Sequence, residues 1–289
     1  MRREDAYLVI NNVDIYNYYR ERLVNMALAE FSYLNFPEDC DRWFFERSML
    51  NNGTASIYNV KDSDIWLSTG YVNSGGTYDV YGYPEEITGV GYNRANIPVE
   101  KKKFVVFYDT MTRTSILWMI NLYAKKLYEI DMTIRQNLFN QRHPIFTYGN
   151  KNDVLTLKNV ASRIEGFDNI IELKKDRVDG EEAFKTLDLR VDFKGNELFE
   201  LLKKTWNEAL AMLGISTTES KRERMINKEA DLLQMEANTA LNSRLMPRVD
   251  GMKKLAKISP FKDVEVVVNM NLNTELIPSF VNTEQDGEI

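Results

Sequence analysis

Residues 111–140, MTRTSILWMINLYAKKLYEIDMTIRQNLFN, decide what kind of fold this chain takes. Within them Ile116, Ile120, Tyr123, Leu127, Ile130, Ile134 and Leu138 follow one another at intervals of 4, 3, 4, 3, 4 and 4. Those intervals return a side chain to one face of an α-helix. Thr112 or Thr114 stands where a cap is needed, and Pro144 stops whatever follows. About 28 residues rising ~1.5 Å each make a rod of roughly 42 Å. The near-heptad spacing suits a long contact with other helices.

Working outward, residues 193–214 repeat the pattern, with Leu198, Leu202, Thr205, Ala209 and Met212 on one stripe and Gly214 as C-cap. The segment between the rods breaks it. Ile145-Phe146-Thr147-Tyr148 and Ile170-Ile171-Glu172-Leu173 read as short strands, and Leu155 to Val160 leads into a short helix. Basic and acidic side chains balance there. Two rods joined through a compact insert point to an antiparallel hairpin with a small α+β domain at its tip. On periodicity alone, burial of both stripes in one monomeric core is an equal alternative.

On the N-terminal side, Asp14 to Phe36 reads as a helix closed by Pro37, and a second short helix lies around Arg42–Leu50. Asn52-Gly53 is a turn signal, and from there to Tyr108 Gly, Tyr, Val, Asn and Thr dominate, which makes a small β subdomain of short strands. On the other side, residues 216–238 are polar, with four basic and five acidic side chains, and read as a helix end or loop. Thr239 to Ile258 is helical with a break at Pro247, and Val264–Val268 is a strand. The fold class is α+β.

The chemistry of the chain is mostly exclusion. Its 289 residues carry a net charge of −6, without the basic footprint of a free-standing DNA-binding domain. No apolar run is long enough to span a bilayer, and the start of the chain lacks a secretory apolar core, so synthesis in a cytoplasm is expected. A phosphate-binding P-loop is absent, and Gly89-Val90-Gly91 reads as a turn, since Arg94 stands where a dinucleotide loop needs glycine. Asp62-Ser63-Asp64 reads as a solvated loop, so no metal is expected. His143 lacks a second histidine for metal or triad work. The one cysteine, Cys40, lies between Asp39 and Asp41, whose charge keeps its thiol protonated. No catalytic constellation and no cofactor are expected, and the chain reads as a structural or interaction protein, not an enzyme.

Three stretches together resemble the portal proteins (connectors, or upper collars) of small podovirus-type tailed bacteriophages. They are Trp206-Asn207-Glu208 through Leu213-Gly214-Ile215 with Lys221-Arg222-Glu223-Arg224-Met225; His143-Pro144-Ile145 through Leu155–Val160 and Glu165-Gly166; and Asn35-Phe36-Pro37 with Phe44-Phe45-Glu46-Arg47.

The resemblance implies a ring of twelve subunits at the head–tail junction of a virion, with double-stranded DNA passing non-specifically through its centre. Residues 111–140 and 192–215 become antiparallel stem helices, 141–191 a clip, and 216–238 a channel loop. Residues 1–110 and 239–289 become a wing with an SH3-like β subdomain. Capsid protein, lower collar and tail proteins, and a separate packaging ATPase are the implied partners; no membrane is. An acidic wall with sparse basic rings lets a duplex slide where a strongly basic bore would hold it. The basic candidates are Lys221, Arg222, Arg224 and Lys228 in the channel loop and Lys174, Lys175 and Arg177 in the clip, each of which also reads as a solvated charge or an intersubunit ion pair. The competing reading is a non-channel virion adaptor or scaffolding protein.

Overall fold

The computed structural model describes residues 12–141, 145–148, 170–173, 193–216 and 227–269. Five helices and eight strands lie among them: α1 (Asn12–Ala29), β1 (Phe31–Leu34), α2 (Arg42–Asn52), β2 (Thr54–Val60), β3 (Trp66–Asn73), β4 (Ile87–Val90), β5 (Asn96–Tyr108), α3 (Leu117–Asn140), β6 (Ile145–Tyr148), β7 (Ile170–Leu173), α4 (Gly195–Leu213), α5 (Asn227–Ile258) and β8 (Glu265–Val268). The mixture is α+β. The chain divides into two compact units, Met1–Leu127 with Thr205–Ile289, and Tyr128–Lys204. Both divisions fall inside helices, α3 and α4.

In the larger unit, β2, β3, β4 and β5 close into an antiparallel barrel. β5 makes closure possible because its two halves serve different neighbours. Its first residues pair with β4 (Pro98 with Thr88) and its last with β2 (Val106 with Ser56). Between them Lys102 takes a left-handed φ of 63°, the kind of bulge that bends a strand around a barrel corner. α2 leads straight into the barrel. Asp41 caps its start by accepting from the Phe44 amide at 2.6 Å, and Gly53, at φ 77°, ends it one residue before β2. The Asn52-Gly53 turn signal is therefore a helix C-cap, and no hairpin forms there. Gly89 and Val90 belong to β4, and the turn predicted across them begins at Gly91.

The core of this unit lies between α2, the barrel and α5, where Phe45, Met49, Ile57, Trp66, Phe107, Met252 and Leu255 pack together. Phe45 and Phe107 meet edge to face, with centroids 5.0 Å apart. Burying each ring contributes about 1.5–3 kcal/mol, and the ring pair about 0.5–1.5 more. Cys40 is part of this cluster. Burial, first of all, pushes its thiol up to about 12, with the charge of Asp39 only a minor addition. The expected protonation state stands, but its main cause is desolvation.

Three predicted elements change. The helix expected to run to Phe36 ends at Ala29, because Phe31–Leu34 becomes β1 and pairs antiparallel with β8 (Phe31 with Val268, Leu34 with Glu265). Asp109 Oδ2 and Ser115 Oγ start α3 by accepting from the amides of Ile116 (2.9 Å) and Leu117 (2.9 Å), whereas Thr112 and Thr114 bond to each other and to Thr110. α5 runs through Pro247 without a break. A proline there has no amide for the carbonyl of Ser243, and Met111 supplies one from outside the helix at 2.9 Å. α5 also begins at Asn227, so residues 227–238, read from the sequence as a helix end or loop, are helical.

In the smaller unit, β6 and β7 pair in parallel, Ile145 beside Ile170 and Tyr148 beside Leu173. Those are the two strands predicted for the insert. The Lys194 amide donates to Asn137 Oδ1 at 3.4 Å, which ties the last turns of α3 to the residue before α4. The helix predicted after Leu155 lies outside the described residues.

Candidate functional site

Two features of the larger unit bear on function, one buried and one exposed. The buried one starts from Arg244 and Arg248, four residues apart and so on one face of α5. Both are at most 1% exposed. Opposite them stand Glu30, at the joint between α1 and β1, Glu46 on α2, and Asp109 just after β5. Arg248 grips Glu46 with two bonds, Nε to Oε1 at 3.1 Å and Nη2 to Oε2 at 2.9 Å. The same Nη2 donates to Asp109 Oδ1 at 3.0 Å, and Nη1 donates to the carbonyls of Asp109 and Arg244. Arg244 pairs with Glu30 through Nη1 and donates from Nη2 to the Ala27 carbonyl at 3.2 Å. Both guanidinium groups lie over the ring of Phe31, 5.1 and 4.3 Å from its centre.

Burial works to lower the pKa of Arg248, but Glu46, Tyr33 and Asp109 outweigh it and hold the group charged, well above its ordinary value. The Tyr33 hydroxyl, which donates to Glu46, is raised by burial and then by the carboxylate. Burial also pushes Glu30 up to about 7, although both arginines pull against it. The cluster fastens α1, β1, α2 and the end of β5 to α5, across sequence separations of 139 to 214 residues. It is a fastening, and nothing in it faces a substrate. Sequence reasoning missed it, since two arginines four residues apart look the same on a solvated helix face.

The exposed feature is a second apolar face on helices that already bury one. α3 buries Ile120, Ala124 and Leu127, yet on its opposite side Trp118 is 58% and Leu122 46% exposed. α5 buries Ala237, Arg244, Arg248, Met252 and Leu255, and opposite them Leu232 is 59% and Met235 65% exposed, with Met246 on the same stripe. The stripe read from the sequence also loses cover along α3, being buried at Ile120 and Leu127, half-buried at Ile130 and Ile134, and exposed at Leu138.

Of the predicted DNA-facing residues, Lys221, Arg222 and Arg224 lie outside the described residues, as does the side chain of Lys228, which stands in the first turn of α5. Lys174, Lys175 and Arg177 directly follow β7 and also lie outside them. Among the described residues no group of three or more His, Cys, Asp or Glu side chains is placed to hold a metal ion, and no helix is long and apolar enough to cross a membrane.

Residues 7–274 match the family described as Phage Connector (GP10). The chain belongs to the phage connector family. It is a portal, or head–tail connector, protein, a structural component of a bacteriophage. Among solved structures, the portal and tail of native bacteriophage P68 includes a similar chain, 12% identical, with 86% of each chain covered and a TM-score of 0.45. Connector membership implies assembly with further copies and with capsid and tail, and a place at the head–tail junction.

Proposed function

We propose that the chain is one subunit of a closed ring of twelve at the head–tail vertex, through which double-stranded DNA is packaged and ejected. The observation that carries this reading is the outward apolar face of α3 and α5, with Trp118, Leu122, Leu232 and Met235 exposed on helices whose other side is already buried. In a ring each subunit presents two different faces to its two neighbours, and such heterologous contacts cover apolar surface that a lone subunit leaves in water.

In this arrangement residues 111–140 and 192–215, which contain α3 and α4, form the stem, and the insert 141–191 forms the clip facing tail and motor. The segment 216–226 with the first turns of α5 forms the channel loop. Residues 1–110 and 239–289 form the wing, whose four-stranded barrel is SH3-like. Lys221, Arg222, Arg224 and Lys228 would meet DNA in the channel, with Lys174, Lys175 and Arg177 in the clip. The net charge of −6 suits a conduit, since each added phosphate contact strengthens grip on the duplex. Capsid and tail proteins and a separate packaging ATPase dock on the ring from outside, and synthesis takes place in the host cytoplasm.

The mass of the purified protein in native solution, with images of the same sample, tests the reading. A closed ring of about a dozen copies with an open centre is the expected result. A protein that stays monomeric even beside capsid and tail partners points instead to a non-channel adaptor or scaffolding role.

A further inference from the structure

The charges of the buried cluster do not cancel. Arg244 and Arg248 bring two positive charges, and Glu30, Glu46 and Asp109 three negative ones, so full ionisation leaves one negative charge in excess. All five side chains are at most 2% exposed, and water does not screen the surplus. The hydrogen bonds are shared unevenly. Glu46 receives both arms of Arg248 and the Tyr33 hydroxyl. Asp109 receives Arg248 Nη2 and the Ile116 amide. Among the described residues Glu30 receives only Arg244 Nη1, on Oε2, and its buried Oε1 has no hydrogen-bond partner; Arg244 Nε makes no hydrogen bond either, standing 3.5 Å from Asp109 Oδ1.

We propose that Glu30 carries the proton that neutralises this cluster, and that its protonation is a latch: neutral Glu30 closes the α1–β1 joint onto α5, and ionised Glu30 loosens it. Every charged group that faces Glu30 fits this role. Arg244 and Arg248 approach from α5 and favour the ionised form, whereas Asp109 and Glu46 repel it, and burial outweighs them all, holding the carboxyl up at about 7. The position gives the latch reach. Glu30 is the single residue between α1 and β1, and its carbonyl accepts from the Asn269 amide at 2.8 Å, next to β8. A charge there is felt at the β1–β8 pair as well as at α5.

The folded carboxyl holds its proton more tightly than an unfolded one, so the sign is defined. Stability is fully present below the ordinary glutamate value and is lost as pH rises towards about 7. Urea unfolding of the full-length chain from pH 5 to 8 tests this, with the only histidine replaced (His143→Gln) so that no imidazole titrates. The parent's unfolding constant is expected to rise by up to roughly tenfold per pH unit from pH 5 to about 7 and to level off above it. Glu30→Gln should flatten that slope and be the more stable protein at pH 8. The proposal is overturned by a flat parent curve, or by Glu30→Gln being weaker than the parent by the same factor at pH 5 and pH 8, the mark of an ionised Glu30 paired with Arg244. Should Glu30→Gln not fold, hydrogen exchange of the peptide containing Asn269 decides on the parent. Protection corrected for intrinsic rate falls as pH rises towards about 7 and levels off above it under the proposal, and a profile level from pH 5 to 8 overturns it.

Discussion

Arg248 holds Glu46 by two parallel hydrogen bonds, 3.1 and 2.9 Å long, where neither side chain is more than 2% exposed. Attraction between such a pair has to offset the desolvation of both ions, so its net contribution to stability is small. Breaking it is different, because the partner left behind is a buried unpaired charge, which costs about 3–5 kcal/mol.

Arg248→Lys tests this, since an ammonium keeps the charge but not the fork that reaches Glu46, Asp109 Oδ1 and two carbonyls at once. A loss of about 3 kcal/mol or more in urea unfolding is expected. A loss below about 1 kcal/mol would mean that the charge alone matters and the geometry does not.

Gly251 shows propensity and packing pulling in opposite directions. In the interior of α5, alanine in place of glycine adds about 1 kcal/mol of helix stability. A Cβ at this position would stand 2.3 Å from two ring carbons of Phe107, itself wholly buried against Phe45. Gly251→Ala is therefore expected to destabilise by about 1–3 kcal/mol despite the better propensity. A rise in melting temperature would show that the ring has room to give.

Cys40 makes a chemical prediction. Its thiol is buried, 3.6 Å from the Trp66 carbonyl, and held up to about 12, so almost no thiolate exists at pH 8. Iodoacetamide should label the folded protein far more slowly than the urea-unfolded one. Equal rates would place the thiol in contact with solvent.

These cases show which parts of the molecule were legible in its sequence. The barrel strands, α2, β6, β7 and the two rods each rest on local signals, namely alternation, a cap, or a repeat of three and four. β1 does not. Phe31-Ser32-Tyr33-Leu34 continues a helical spacing and becomes a strand only because Glu265–Val268 arrives beside it from the other end of the chain. Pro247 misled for a similar reason, since the amide that satisfies Ser243 belongs to Met111. The fastening around Arg248 was invisible because burial of a charge depends on partners from four other elements. The apolar stripe of α3 was legible as a stripe, but not that Trp118 and Leu122 form a second one facing outward.

That outward face leads to a prediction about assembly. Leu122→Glu and Met235→Glu place charges on surfaces already in water within one subunit, so the fold should change by no more than about 0.5 kcal/mol. If neighbouring copies cover these faces, the buried charge should shift the protein from rings to small species in native mass measurements. Intact rings from both variants would move the subunit contact elsewhere on the molecule.

The basic residues before and at the start of α5 separate grip from architecture. Replacing Lys221, Arg222, Arg224 and Lys228 together by alanine removes four positive charges and takes the chain from −6 to −10. If they meet phosphates in the channel, each contributes about one unit to the salt dependence of DNA binding. Rings of the variant should then form normally, retain DNA less well, and respond to added salt with a shallower slope than the parent. Rings that fail to form would assign these side chains to intersubunit ion pairs. An unchanged slope with normal rings would leave them as solvated charges, and the DNA contact would have to come from another part of the bore.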